Sequence, residues 1–527
     1  MRGFPIPACG QAECFETHIS DTSRVLIFRG ASAAEVIDYR AALERDGFVQ
    51  REFVGLGHGS FAAYEKDGCG VFVNWFAKTG ELQVAAEENS AYFSYEDSCG
   101  PVCTIPRLTQ VKLVDYGLSD VIRLSDGRLI IVDGGNTHPG EAEALFARLQ
   151  ADSPHEKPVV AAWIVTHPHS DHFNCFFPFV EKFGHQVELQ RFFFHFPRHD
   201  DLEHYPKLAG TNAGFGRWSG QDATKSEVTR RFVEAVAGLG VPVYTPRTGQ
   251  TYTVGDATIH FTATMDDTIH VSDNINAASL MFIMELGGQR IFFGGDGSFS
   301  DARLAQRYGE ELKVDILQIP HHGFGCGTDQ GQIDGYRLMR PRVCLLPVSL
   351  KNAYTDFTTY REGTNYAMTR LGVEEMLTGE VEQVLDLPYY PRPDGEYLLR
   401  QRYAEGRANC GARTWVFMDL NTGRREDFVF SVLNTTFYNA NLDVEIFLEN
   451  MQKKIIRIRN TGLRRGVFRL NCLLRPEEDQ TAFDRPDFLA GLGIPEHVGF
   501  SVRFVSDKPI VVSHRDHAAA YHSSVQG

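Results

Sequence analysis

One stretch constrains this chain more than any other. The apolar run Val159-Val160-Ala161-Ala162-Trp163-Ile164-Val165 ends in Thr166-His167-Pro168-His169-Ser170-Asp171-His172. A run of this length, rich in branched and aromatic residues, predicts a buried strand. Three imidazoles and a carboxylate then fall within six positions, a density of metal-ligand types for which core packing has no use. His167 and His169 stand two apart, so an extended or turning backbone can aim both the same way. Asp171 and His172 fall where the chain turns into a following helix and can serve a second ion. Imidazole with carboxylate suits zinc, iron and manganese. The pattern predicts a metal site.

Three further strand-end motifs flank it in chain order. Arg128-Leu129-Ile130-Ile131-Val132-Asp133-Gly134-Gly135 lies upstream; Gln289-Arg290-Ile291-Phe292-Phe293-Gly294-Gly295-Asp296 and Asp315-Ile316-Leu317-Gln318-Ile319-Pro320-His321-His322-Gly323 lie downstream. Together these motifs resemble the metallo-β-lactamase superfamily over residues 108–390. The His-His-Gly form and the stretch Asn274 to Phe282 resemble one branch of it, that of competence-type DNA-uptake hydrolase domains and phosphorylcholine esterases.

The resemblance implies an α/β fold, an αββα sandwich with two sheets inside and helices outside. It implies Asp133 as a buried structural acid, His167 and His169 on one metal, Asp171 and His172 on a second, and Asp296 bridging the two. His322 is expected to complete the second metal, with a sharp turn at Gly323 bringing both histidines inward, while His321 faces the substrate anion or supports a ligand. The third ligand of the first metal is expected to be His270, with His195 as rival or no histidine at all.

The implied cofactors are two divalent ions, zinc first, with manganese or iron as alternatives. The implied chemistry is attack by a metal-bound hydroxide, oriented by Asp171, on a small phosphoester or similar anionic ester. Asp171 and His321 are thus the expected catalytic residues. A lactone or amide hydrolase is the alternative, with Phe192, Phe193, Phe194 and Phe196 lining a hydrophobic channel. A ligand-binding sensor with a subordinate hydrolase domain is a third reading.

Composition narrows the partners. The 527 residues are too many for one core, while 43% hydrophobic and 23% charged residues are ordinary for a soluble globular protein. A net charge of −16 disfavours a broad nucleic-acid surface, which needs Lys and Arg against phosphates. No apolar stretch reaches membrane-span length, and the first nine residues lack a long apolar leader segment. Ten scattered cysteines without paired metal spacings read as reduced thiols. A cytoplasmic protein acting on a small molecule is expected, with an oligomer open.

Three domains are expected. Residues 1–107 read as a small α+β accessory domain with its connector, either a lid or dimerisation module or simple packing. Ser32 and Glu35 there form a capping box opening a helix from Ala33 to Asp46, and His58 sits in a Gly57-His58-Gly59 turn that either approaches the site or lies on the surface. Residues 108–395 hold the hydrolase fold, with helices over Gly140 to Leu149, Asp171 to Phe183 and Glu227 to Leu239, and strands over Val187 to Phe196 and Ala278 to Leu286. A polar insertion, Pro197 to Ser226, carries His199, His204, Tyr205, Lys207 and Arg217. Residues 408–527 show short turn-separated strands, the pattern of a β-sandwich. Arg413-Thr414-Trp415 and Ser506-Asp507-Lys508-Pro509 resemble the sensory-rhodopsin-transducer family, which implies either a sugar-like ligand there or an accessory role.

Overall fold

The computed structural model describes residues 4–9, 13–20, 22–88, 93–114, 116–197, 225–268, 271, 275–323, 330–348 and 373–391, then the backbone of ten strands between Ala408 and Gln526. These fall into two compact units. The first holds Met1–His322, Asp334–Pro341 and Gly379–Tyr390; the second holds Gly323–Ile333, Arg342–Thr378 and Pro391–Gly527.

The first unit opens with an antiparallel sheet. Its strands are β1 (Glu13–Ser20), β2 (Ser23–Arg29), β3 (Val49–Leu56), β4 (Gly59–Lys66), β5 (Cys69–Phe76) and β6 (Glu81–Glu88), in the order β1-β2-β6-β5-β4-β3. Helix α1 (Ala33–Arg45) crosses one face, and the capping box is present, with Ser32 and Glu35 bonding reciprocally. Val36, Tyr39 and Leu43 of α1 are buried against Leu26, Phe28, Tyr64, Val71, Val73 and Val84. The opposite face of the sheet is buried too, through Val25, Ile27, Phe61, Ala63, Phe72 and Ala85. Burial on both faces is why Val25-Leu26-Ile27-Phe28 is a continuous apolar run rather than an alternating one.

A central α/β portion follows. Strands β7 (Arg107–Gln110), β8 (Ser119–Arg123) and β9 (Leu129–Asp133) lead into α2 (Glu141–Asp152), β10 (Val159–Ile164), α3 (Ser170–Phe173), α4 (Phe176–Phe183), β11 (Glu188–Leu189), β12 (Phe192–Phe193), α5 (Lys225–Gly238) and β13 (Val243–Tyr244). Next come β14 (Thr251–Val254), β15 (Ala257–Ala263), α6 (Met265–Thr268), a 3-10 turn Ile275–Ala278, β16 (Met281–Leu286), β17 (Gln289–Phe293), α7 (Leu304–Tyr308) and β18 (Ile316–Gln318). Farther on, β19 (Val343–Leu346) and β20 (Glu375–Thr378) pair in parallel within the second unit, and β21 (Gln383–Asp386) returns to the first.

One sheet runs β13-β12-β10-β9-β8-β7-β21, parallel from β13 to β9 and antiparallel from β9 to β21. The other carries β14-β15-β16-β17-β18, with only the last pair parallel. Helices α2, α4 and α5 cover the first sheet through Leu145, Leu149, Phe176, Phe179, Phe232 and Val236, packed against Leu129, Ile131, Val160 and Trp163. This is the expected mixed α/β sandwich. Phe192, Phe193, Phe194 and Phe196 are buried, Phe192, Phe194 and Phe196 in this same core around Phe232. They therefore do not line the substrate channel that the alternative reading asked of them.

In the second unit the C-terminal strands form a five-stranded sheet (Leu489–Gly491, Arg465–Arg469, Val429–Asn434, Ile510–Arg515, His522–Gln526), a three-stranded sheet (Lys453–Ile458, Leu442–Leu448, Phe500–Ser506) and the hairpin Ala408–Gly411 with Thr414–Phe417. Among the described residues no helix is long and apolar enough to cross a membrane.

Candidate metal centre

The site forms where β9, β10, β17 and β18 end. Asp133 closes β9 in the left-handed region, at φ 56, and is fully buried. Its Oδ1 accepts the amide of Thr166 at 2.7 Å, and its Oδ2 accepts the Thr166 hydroxyl and His172 Nδ1–H, each at 2.8 Å. These bonds fix two tautomers. His172 donates from Nδ1, so its Nε2 keeps the lone pair. Thr166 spends its one proton on Asp133, so its oxygen accepts Nδ1–H of His167 at 3.2 Å, which leaves His167 Nε2 as the ligand atom. That Nε2 is sealed from solvent without a hydrogen-bond partner, a state that is costly unless something else occupies it.

Asp296 arrives from β17 through Gly294-Gly295. Gly295 has φ 51, and a Cβ there would lie 2.9 Å from the Thr166 side chain, so only glycine lets the two strand ends approach this closely. The Asp296 amide donates to Ser279 Oγ at 3.1 Å. Its carboxylate then stands 3.1 Å from His172 Nε2, 3.6 Å from His167 Nε2 and 3.5 Å from His322 Nε2.

The expected turn at Gly323 begins earlier. His321 (φ 51), His322 (φ 50) and Gly323 (φ 77) are consecutive left-handed residues. The two histidines therefore make the bend themselves, a strained backbone of the kind that clusters at functional sites. The bend directs His322 Nε2 to within 3.1 Å of Asp171 and 3.3 Å of His172 Nε2. His321 turns to the open side, its side chain 33% exposed, where its Nε2 accepts from Asn276 Nδ2 at 3.2 Å.

Two tight groups of potential ligands result, His167-His172-Asp296 and Asp171-His172-His322, each with its donor atoms within 4.8 Å of one another. His169 stands beside the first, its ring 4.9 Å from that of His167. His195 goes elsewhere: its Nδ1 meets the Pro246 carbonyl at 3.0 Å and its Nε2 lies 3.6 Å from Asp266. His270 and the insertion histidines His199 and His204 lie outside the described residues. His58 is neither on the surface nor among these ligands; it is buried against Glu311, Phe76 and Tyr308.

Electrostatics suit a cation. Burial drives the His167 pKa well below its usual value, keeping the neutral ligand form. Burial also works against charge on His172, but the carboxylates of Asp296, Asp133 and Asp171 outweigh it and raise that pKa well above normal. Burial pushes the Asp133 carboxyl up, against the pull of His172 and the Thr166 bonds. The two carboxylates that face these ligand groups, Asp171 and Asp296, carry the charge that a bound dication neutralises. Thr166 falls in the ligand loop and Asn276 and Ser279 in the stretch Asn274 to Phe282, but the sequence assigns none of them a role of its own. Their work is to orient ligands, and no spacing rule signals that.

The model of the metallo-beta-lactamase superfamily matches residues 114–323. Among solved structures the chain is similar to the metallo-beta-lactamase fold protein YhfI from Bacillus subtilis, at 16% identity over 57% of this chain and 93% of that one, with TM-score 0.28. It is also similar to the flavodiiron protein from Giardia intestinalis, at 10% identity over 55% of each chain, with TM-score 0.24. No curated protein matches it. Residues 114–323 thus form a domain of the metallo-β-lactamase superfamily.

Proposed function

We propose that this chain hydrolyses a small phosphoester or similar anionic ester, with two divalent ions held by His167, His169, Asp171, His172, Asp296 and His322. The superfamily suggests a metal-dependent hydrolase. The observation that carries the finer reading is the pair of adjoining ligand groups sharing His172, with the exposed His321 beside them on Asn276. Imidazole and carboxylate donors suit zinc, manganese or iron, and the unpartnered, sealed Nε2 of His167 fits a metal better than it fits a protein core.

When bound, such ions lower the pKa of a coordinated water and polarise a substrate oxygen. The chain's own part is positioning. Asp133 and Thr166 hold both ligand imidazoles in one tautomer. Asp171, with its side chain 22% exposed, stands at the mouth, where it can accept a hydrogen bond from the attacking water. His321 presents a ring to the substrate side. The net charge of −16 favours a small substrate over a polyanion.

The test is protein loaded with zinc, manganese or iron and assayed on chromogenic phosphodiesters, phosphomonoesters and lactones alongside elemental analysis. Turnover of a phosphoester at a stoichiometry near two metals per chain is expected. Turnover of lactones alone would move the assignment to the carbonyl-hydrolase reading.

A further inference from the structure

The N-terminal sheet lies outside the superfamily match, yet its inner face packs under the turn that carries Asn276. Val25, Ile27, Phe61, Ala63, Phe72 and Ala85 pack directly on Met265 of α6 and on Ile275 and Ala278 of the 3-10 turn. Between those two apolar anchors stands Asn276, the residue bonded to His321.

A chain of buried polar contacts runs the same way. Glu81, at the start of β6, holds Arg307, whose Nε donates to Glu81 Oε1 at 3.0 Å. Arg303 pairs with the second oxygen of Glu81. Arg307 Nη1 donates to Asp267 Oδ1 at 2.6 Å. Asp267 Oδ2 in turn accepts the Thr264 amide at 2.8 Å and the Thr248 hydroxyl, fixing the turn into α6. Thr268, the last residue of α6, donates its hydroxyl to the carbonyl of Ala277, next to Asn276. Arg247 makes a parallel link, joining Glu87 of the sheet to Asp266. All these groups except Arg303 and Glu87 are buried.

We propose that the N-terminal sheet is a positioning element of the active site, and that Glu81 is a positioning residue acting through Arg307, Asp267, Thr268 and the 275–278 turn on Asn276 and His321. This rests on the reading of His321 as facing the substrate anion. An ion pair that only stapled two layers together would have no reason to end on the segment bearing a substrate-side residue. A guanidinium between two carboxylates holds its partners in a fixed fork. A segment so gripped on one side and seated on an apolar floor on the other has little freedom to shift Asn276.

The experiment uses the metal-loaded full chain, with inorganic phosphate as the probe and amide hydrogen exchange as a second readout. Glu81→Gln is expected to raise the phosphate Kd about tenfold, the scale of one charge-assisted hydrogen bond. It should also speed exchange over residues 265–281 while leaving metal content unchanged. In an Asn276→Ala background the same change should have no further effect on the Kd, because the link already ends there. Thr268→Val cuts the chain without touching an ion pair; it should reproduce the result and carries the test where Glu81→Gln does not fold. Equal weakening in both backgrounds, or unchanged exchange over 265–281, overturns the proposal. If wild-type protein binds no phosphate and turns over no phosphoester, the hydrolase reading fails, and the exchange readout still decides the positioning role.

Discussion

Asp133 shows how much one residue outside the ligand set can decide. It is fully buried, held at a positive φ, and its two oxygens set the tautomers of both ligand imidazoles through Thr166 and His172. Asparagine has the same shape and tolerates the left-handed region, but its NH2 must face a donor. Asp133→Asn is therefore expected to fold and to lose about 10–100-fold in metal affinity, the usual cost of removing a ligand's orienting partner. A chelator-competition titration with far-ultraviolet circular dichroism checks it, and unchanged affinity would mean that Asp133 does not set the tautomers. Removing a ligand itself is harsher. Asp171→Ala and His172→Ala are expected to abolish turnover and lower bound metal. Asp171→Ala is the cleaner of the two, because losing His172 strands Asp133 and Asp296 as buried, uncompensated charges. Full activity in either variant after chelation would sink the mechanism.

Elements built on local chemistry are the ones the sequence discloses. The capping box of α1 is an example, with Ser32 and Glu35 satisfying each other within four residues. The ligand loop is the opposite case. A single helix from Asp171 to Phe183 is expected, yet α3 stops at Phe173 and α4 starts at Phe176. The carbonyls of Asp171 and His172, which helical amides at 175 and 176 would use, accept Leu118 N and Gly134 N instead, and Cys175 N turns to Gly135 O. Contacts between strand ends thus break the helix, and periodicity along 171–183 carries no trace of them. The strand expected over 187–196 likewise shrinks to β11 and β12, each paired with β10. The same limit applies at the site. Ligand types and their order are local and were legible, whereas the diversion of His195 to Pro246 and Asp266 and the bend made by His321 and His322 depend on distant packing.

Where β4, β14 and β15 meet α7, two imidazoles stand side by side, the buried His58 and the half-buried His260, with ring centroids 5.9 Å apart. Burial lowers both pKa values. For His260 it does so to about 3, with His58 and Arg290 adding to the effect. For His58, Glu311 opposes burial and Lys78 reinforces it. The folded values lie below the unfolded one near 6.5, so the unfolded chain binds more protons as pH falls. Stability is full above about pH 6.5 and declines below it. Carboxylates with lowered values, such as Glu81, lose their contribution only below about 4.5. His260→Gln should flatten this decline, by up to about tenfold in the unfolding equilibrium per pH unit. Urea titrations at several pH values between 7.5 and 5 check it, and parallel slopes for variant and wild type would refute the assignment.

At the scale of the whole molecule, the ligands named above all lie in the first unit, which also includes the N-terminal sheet. That sheet is buried on both faces, by α1 on one and by Met265, Ile275 and Ala278 on the other, and its Glu81 and Glu87 are tied to Arg307 and Arg247. One of its two faces is thus shared with the central α/β portion, and it should unfold together with that portion. The second unit contributes none of the proposed ligands. A metal that binds only the folded first unit stabilises it by mass action, by about 3 kcal/mol at a hundredfold excess over Kd. In a unit of this size that is a rise of a few degrees in Tm. Calorimetry of the full chain with and without zinc should then show the first unit's transition moving up with metal, the second unit's staying in place, and no third transition for the N-terminal sheet. If residues 13–88 instead melted separately, shown by early loss of amide protection there while β9 and β10 remained protected, the sheet could not be holding Asn276 in place at working temperature. A metal-independent first transition would tell against the ion site itself, since Asp171 and Asp296 ought to repel one another without a cation between them.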